Sequence, residues 1–474
     1  MRPRIQLLSP ELIERILGEA FELLWTPGVR VGSAPVIELL RAADVEVREG
    51  VAHVPEGLVR RCLASVPRDF YLYNRQGENA VHYGGDDVHF DPGSCCVQVL
   101  DRDTLQARPS EIRDLVRIVQ VAEKLSQFAA QSTAVVCTDA PGEIGDLYRL
   151  YVVLRHSNKP VVTGSFSAEG LPGMIDLLAT DCGGREKLRQ HPRAVFDVCP
   201  SPPLNWSEFG SRNLLDLARA GVPAEIVAMP LAGGTAPVTL AGSVTQHAAE
   251  VLAGITLHQL AGSGSPVVWG GAPAIFDMRT GAAPMGAVET AMLNMACAEV
   301  GKSLGMPTHG YLVATDSKCV DAQAGAESAR SAILGALTGI NMISGAGMIE
   351  SLACHSVEKL VMDAESIASA YRLVRGIEAS GDTLATGMFA QIGLSGEFLK
   401  LKETRAMFRQ EQHIPSAVID RGAEASHDTF ARAGEGVDEL VAVYEAPVIS
   451  EDVLREFEGI VEREAERAGC AVGL

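Results

Sequence analysis

The chain has 474 residues, 47% of them hydrophobic and 5% aromatic, with 47 glycines. That composition supplies a large packed core and excludes a disordered polymer. The formal net charge of −20 leaves no basic footprint for nucleic acid.

Ser9 and Pro10 open a first helix in which Ile13, Ile16, Leu17, Ala20, Leu23 and Leu24 form one apolar stripe. Further helical patterns follow Pro35 and Pro55, around a short β segment at 45–54, so residues 1–85 read as a helical N-terminal layer. Residues 88–100 read as a β-hairpin or lead-in strand broken at Asp91-Pro92-Gly93, and Ser110 caps the next helix. Short β-branched runs then recur at 134–137, 161–163, 194–198, 225–228, 267–269, 309–313 and 341–343. Helical patterns at 214–220, 244–260, 285–304 and 324–337 lie between them. Apolar strands alternating with helices predict a parallel sheet covered on its outer face. Seven strands are countable, with an eighth expected near 383–392, which points to a closed TIM-type (β/α)8 barrel over residues 86–398. An open doubly wound sheet is the alternative, weakened by the absence of a G-x-G-x-x-G or Walker-type loop. Residues 399–474 read as helices packed on the barrel, the last capped by Ser450, all in one integrated unit.

The ten cysteines are scattered without a C-x-x-C pair, as in a reduced intracellular protein. The first residues carry no signal-peptide pattern, and no run approaches the ~18 apolar residues of a membrane span. A cytoplasmic chain without membrane contact is expected.

The strand-end loops are rich in Gly, Pro and Ala, which lets a ligand or partner approach the backbone. Several of them carry a resemblance. The runs TDSKCVDAQAGAES (315–328), PMGAVETAMLNMACAEVGKSLGMP (284–307), GALTGINMISGAGMIES (335–351), LVMDAE (360–365) and EFLKLKETRAMFRQEQHIPSAVIDR (397–421) are similar to the trimethylamine methyltransferase family. The resemblance implies a barrel that takes a methylated amine at its mouth. It also implies a separate corrinoid protein that supplies cobalamin, with no cofactor held tightly by this chain, and a homo-oligomer. The founding members use pyrrolysine in the seventh-strand region. Here the neighbourhood is Gly339-Ile340-Asn341, so the chain resembles the branch without pyrrolysine, which acts on quaternary amines such as glycine betaine.

Chemistry agrees with that split. A quaternary ammonium leaves as a neutral tertiary amine, with no proton or metal to supply. A thiol or alcohol donor would need zinc on His and Cys, and Cys354-His355 is the only adjacent pair of those types. Asp316, Glu350 and Glu289 are the candidate catalytic carboxylates, against helix capping as the bland alternative. Candidate substrate-binding residues are Trp206 and Tyr311, as aromatic faces for the ammonium, with Lys318, Asp321, Gln323, His309, Asn341 and His355. No metal site is expected. Two other readings compete: a non-catalytic quaternary-amine binder on the same barrel, and a barrel lyase with Lys318 as a Schiff-base lysine in a dry pocket.

Overall fold

The structure is a computed structural model and describes residues 2–167, 169–379, 383–394, 396–422 and 427–473. Eight strand–helix units follow one another along the chain. The strands are β1 (His89–Pro92), β2 (Gln131–Ser132), β3 (Val161–Thr163), β4 (Ala194–Val198), β5 (Ala224–Ala228), β6 (Val267–Gly271), β7 (His309–Tyr311) and β8 (Met342–Ala346). Each is followed by a main helix: α1 (Ile112–Lys124), α2 (Gly145–His156), α3 (Gly170–Cys182), α4 (Glu208–Ala220), α5 (Leu240–Ala261), α6 (Val288–Ser303), α7 (Ala322–Thr338) and α8 (Val357–Arg375). β2 to β6 pair in parallel, as do β7 with β8 and β8 with β1. Single contacts complete the ring: Trp269 N donates to Pro307 O (2.9 Å) between β6 and β7, and Ala129 N to Phe90 O (3.0 Å) between β1 and β2. The sheet is therefore a closed (β/α)8 barrel.

One strand is not where the apolar pattern placed it. Residues 383–392 supply no strand; Thr386–Ile392 is a helix. The missing strand is β1, inside the segment expected to be a hairpin or lead-in strand. His-Phe-Asp-Pro is short and half polar, and Pro92 cannot donate to a ladder, so its hydrophobic signature is faint. The run at 134–137 likewise lies beyond β2, in the loop, where Val135 bridges Cys96.

The barrel interior is layered. At its N-terminal end Ala130, Val162, Val195, Val268 and Met342 pack on Phe70, Leu72, Val81 and Tyr83. Those four come from an antiparallel hairpin, Phe70–Tyr73 with Asn79–Tyr83, that plugs the bottom. Because side chains repeat a face every second residue, the next inward positions after Val195 and Met342 are Asp197 and Ser344, and the interior there turns polar.

Outside, α5 is buried from Ser243 to Gln259 without a break. A helix apolar all round needs cover on every side, and the N-terminal helices Pro10–Trp25, Ala34–Ala42 and Glu56–Ser65 supply it. The first begins as its sequence predicts, with Ser9 accepting from Leu12 N and Pro10 at its start. The C-terminal helices Thr429–Ala442 and Glu451–Ala468 pack on α1 with α8, and on α2 with α3, respectively.

Candidate active site

Above the apolar plug, strands far apart in sequence bring three carboxyl groups together: Asp91 (β1), Asp197 (β4) and Glu225 (β5). Tyr83 at the plug donates to Glu225 Oε1 at 2.6 Å. Ser344 (β8) donates to Asp91 Oδ1 at 2.6 Å, with His309 Nε2 (β7) 3.0 Å from the same hydroxyl. Burial, with no cation to offset it, raises all three carboxyls: Asp91 and Glu225 well above the usual range, Asp197 to about 6. Asp197 and Glu225 act directly on each other, so burial and their mutual repulsion oppose charging both at once. Burial also lowers His309 to about 3. The 3.8 Å approach of His309 Nε2 to Glu225 is therefore a contact with a neutral ring rather than an ion pair. Among the described residues no Lys or Arg is paired with this floor, and Asp197 is the carboxyl of the three that ionises most readily.

A cavity of about 210 Å³ opens directly onto Asp197, lined by residues at the C-terminal ends of β1 to β4 and by Arg149 and Asn213 from the flanking helices. That is room for about seven waters' share of liquid volume. Phe166 and Phe209 form apolar walls of this cavity. Asp146, at the start of α2, fixes the turn bearing Phe166 by accepting from Phe166 N (2.8 Å) and Ser165 Oγ (2.9 Å). Tyr311 (β7) exchanges hydrogen bonds with the backbone of Ser94, at the cavity edge, and meets the His309 ring edge-on at 5.7 Å. Catalytic groups of such barrels sit at this end of the strands, and the cavity lies there.

The model of the trimethylamine methyltransferase family matches residues 1–469 of the chain. The chain belongs to that family. It is 31% identical to a trimethylamine methyltransferase of Methanosarcina mazei, covering 98% of this chain and 96% of the relative. It is 27% identical to a glycine betaine methyltransferase of Desulfitobacterium hafniense, covering 98% of each. Among solved structures it is similar to the monomethylamine methyltransferase of Methanosarcina barkeri, with a TM-score of 0.55 at 13% identity over 99% of this chain and 90% of that one. At that identity the likeness shows the shared fold.

Family membership gives the motif loops a structural meaning. Asp316 accepts from Met285 N (2.6 Å), Gly286 N (3.1 Å) and Ser351 Oγ (2.8 Å), stapling the loops after β6, β7 and β8. Glu327 accepts from Asp316 N at 2.9 Å and from Thr315 Oγ1. Three runs that look separate in sequence are one hydrogen-bonded cluster. Asp316 thus clasps the loops together and does not line the cavity.

Most other candidates from the loops correct in the same direction. Glu350 faces Lys318 at 3.4 Å on the surface, and the Lys318 side chain is 77% exposed, which removes the dry Schiff-base pocket. Asp321 caps α7, accepting from Ala324 N and Ser317 Oγ at 3.1 Å each. Gln323 donates to Glu327 at 3.0 Å. Glu289 sits in the first turn of α6, where the helix dipole favours it. Trp206 is wholly buried outside the barrel, its ring against Gly254 and its Nε1 donating to Glu250 O at 3.3 Å. Asn341 lies at the N-terminal end of β8, donating to Gly84 O (3.0 Å) and Asp87 O (2.8 Å), far from the mouth. His355 packs on Gly347 and lines a separate recess with Arg102 and Glu358. Of the named residues the structure brings only His309 and Tyr311 into the barrel interior. Asp91, Asp197, Glu225, Arg149 and Asn213 were missed. The available signal was an ionisable residue inside an otherwise apolar strand, Asp197 in Ala-Val-Phe-Asp-Val and Glu225 in Ala-Glu-Ile-Val-Ala.

Proposed function

We propose that this family member moves a methyl group from a small quaternary amine, glycine betaine or a related betaine, to the Co(I) of a corrinoid protein. The observation that carries the reading is the Asp197 carboxyl opening into a small cavity walled by Phe166 and Phe209 at the barrel mouth. A quaternary ammonium has no N–H to donate, so only charge and aromatic faces can hold it, and both are present. The matched single charges offset each other's desolvation.

The cobalt electron pair forms the bond to the methyl carbon as the C–N bond breaks. The C–N pair stays on nitrogen, and a neutral tertiary amine leaves without a proton. The chain's own residues orient the amine, exclude water and seat the partner. Around the mouth, the loops after β1, β3, β5 and β6 expose Val97, Phe166, Met229, Val238 and Met278, the last at 87%. A partner bringing its cobalamin to the mouth would cover these side chains. A second copy of the chain would in turn cover Ile377, Leu384, Leu394 and Leu399, which are exposed beyond α8. Ten free thiols suit a cytoplasmic setting, and no helix among the described residues is long and apolar enough to cross a membrane.

The test is incubation with a Co(I) corrinoid protein and a panel of betaines, carnitine, choline and trimethylamine, following the corrinoid absorbance. Methylation with one or more quaternary donors is expected. No methylation from any donor, with a partner shown to be active, would leave the non-catalytic binder as the function.

A further inference from the structure

The cavity holds a second charged group that the methyl transfer itself does not need. Arg149 comes from α2 and is only 2% exposed. Its Nη1 donates to Thr133 O at 2.8 Å, while its Nε is buried without a partner. Among the described residues no ion pair includes Arg149. The fold treats its other fully buried arginine differently: Arg193 meets Asp181 at 2.7 Å. A guanidinium is charged throughout the working pH range, and burying it without a counter-ion is costly. Something that visits the cavity must offset that cost.

The way Arg149 is held leaves room for such a visitor. Its guanidinium stacks over the Phe166 ring, 4.4 Å from the centroid. Stacking occupies a face of the group, Nη1 is engaged by Thr133 and Nε is enclosed, so Nη2 is the nitrogen left to donate to an anion in the cavity. Asn213, 2% exposed on α4, lines the same cavity with its carboxamide oxygen buried and unpartnered. The amide end can turn to offer its NH2 to the same anion. One small cavity thus presents a cation site at Asp197 and an anion site at Arg149 and Asn213.

We propose that Arg149 binds the anionic group of the donor, so that this enzyme selects zwitterionic quaternary amines over methylated amines of similar size that lack a carboxylate. The proposal rests on the quaternary-amine reading above and assigns the specificity of that site. The ammonium end faces Asp197 and the carboxylate end faces Arg149, so the two charges fix which end of the molecule enters where. Trimethylamine and choline can satisfy only one of the two sites and would leave the guanidinium unpaired.

The experiment is calorimetric titration of glycine betaine and of choline, which shares the trimethylammonium head but ends in a neutral hydroxyl. It uses wild-type protein, Arg149→Gln and Arg149→Lys, each checked by thermal unfolding. Wild type is expected to bind glycine betaine about tenfold or more tighter than choline, the worth of one hydrogen-bonded charge pair. Arg149→Gln should abolish that preference by weakening glycine betaine, while choline, freed of a neighbouring positive charge, binds no more weakly than to wild type. Arg149→Lys, which keeps the charge and loses the guanidinium, should retain part of it and carries the test if the glutamine variant does not fold. Equal binding of the two ligands by wild type, or an unchanged preference in a folded variant, would overturn the proposal. Methyl transfer from glycine betaine with an unchanged preference in Arg149→Gln would remove the subsite and leave the methyltransferase reading intact. An Arg149-dependent preference without methyl transfer from any donor would do the reverse.

Discussion

Affinity for the quaternary amine should depend on pH through the Asp197–Glu225 pair. Burial pushes Asp197 up to about 6, so it gains its charge as pH rises through that value. A bound cation stabilises the ionised form and pulls its pKa down, so binding releases a proton wherever the free pair is still protonated. The sign follows: affinity is weak at low pH, rises through about pH 6 and levels off above it. For a group titrating at about 6, the ionised fraction falls from roughly nine-tenths at pH 7 to roughly one-tenth at pH 5, so affinity should fall about tenfold between them. Replacing both carboxyls, Asp197→Asn with Glu225→Gln, removes the charge and should give weak, pH-independent binding over the same range, because in Asp197→Asn alone Glu225 loses the repulsion that helps to raise it. Isothermal titration with glycine betaine in two buffers of different ionisation enthalpy reads both the affinity and the proton released. A flat wild-type profile from pH 5 to 8, or a pH dependence that survives in the double variant, would refute the floor as the cation site.

Two stability predictions separate structure from site. Trp206→Ala should cost about 3–5 kcal/mol in denaturant unfolding, because it empties a fully buried indole site against Gly254, while folded protein keeps its betaine affinity. Lys359 is buried on α8, where its Nζ pairs with Asp363 Oδ2 at 2.5 Å and donates to Val313 O at 2.9 Å, and Asp363 also accepts from Gly347 N at 2.7 Å. Lys359→Met should therefore cost about 3–5 kcal/mol by the same assay, since it strands a buried carboxylate; unchanged stability would show that the pair contributes nothing net.

The alternation of apolar strands and helices was enough to settle the fold class, because burying a strand on both faces leaves a continuous apolar run that chain order preserves. The motif loops likewise placed the chain in its family. Helix starts were legible wherever a cap is local, as at Ser9 and Ser450. β1 was not, since a four-residue strand ending in proline has little local signature.

The site was largely illegible from sequence. The loop carboxylates at 316 and 321 looked available only because the backbone N–H groups that consume them lie in another loop or in the adjacent helix turn. The polar groups that do face the cavity include those at positions 149, 197 and 213, each unremarkable within its own segment. Arg149 reads as an ordinary charge on an amphipathic helix until α2 packs against β2 and β3 and turns it inward. Sequence determined the alternation of strands and helices, because periodicity is a local property. Only the closed barrel decided the site, because it is made by convergence: strands brought side by side by ring closure point their alternate residues at one small volume, and the desolvation that raises Asp197 and leaves Arg149 unpaired exists nowhere in the chain until that volume is enclosed.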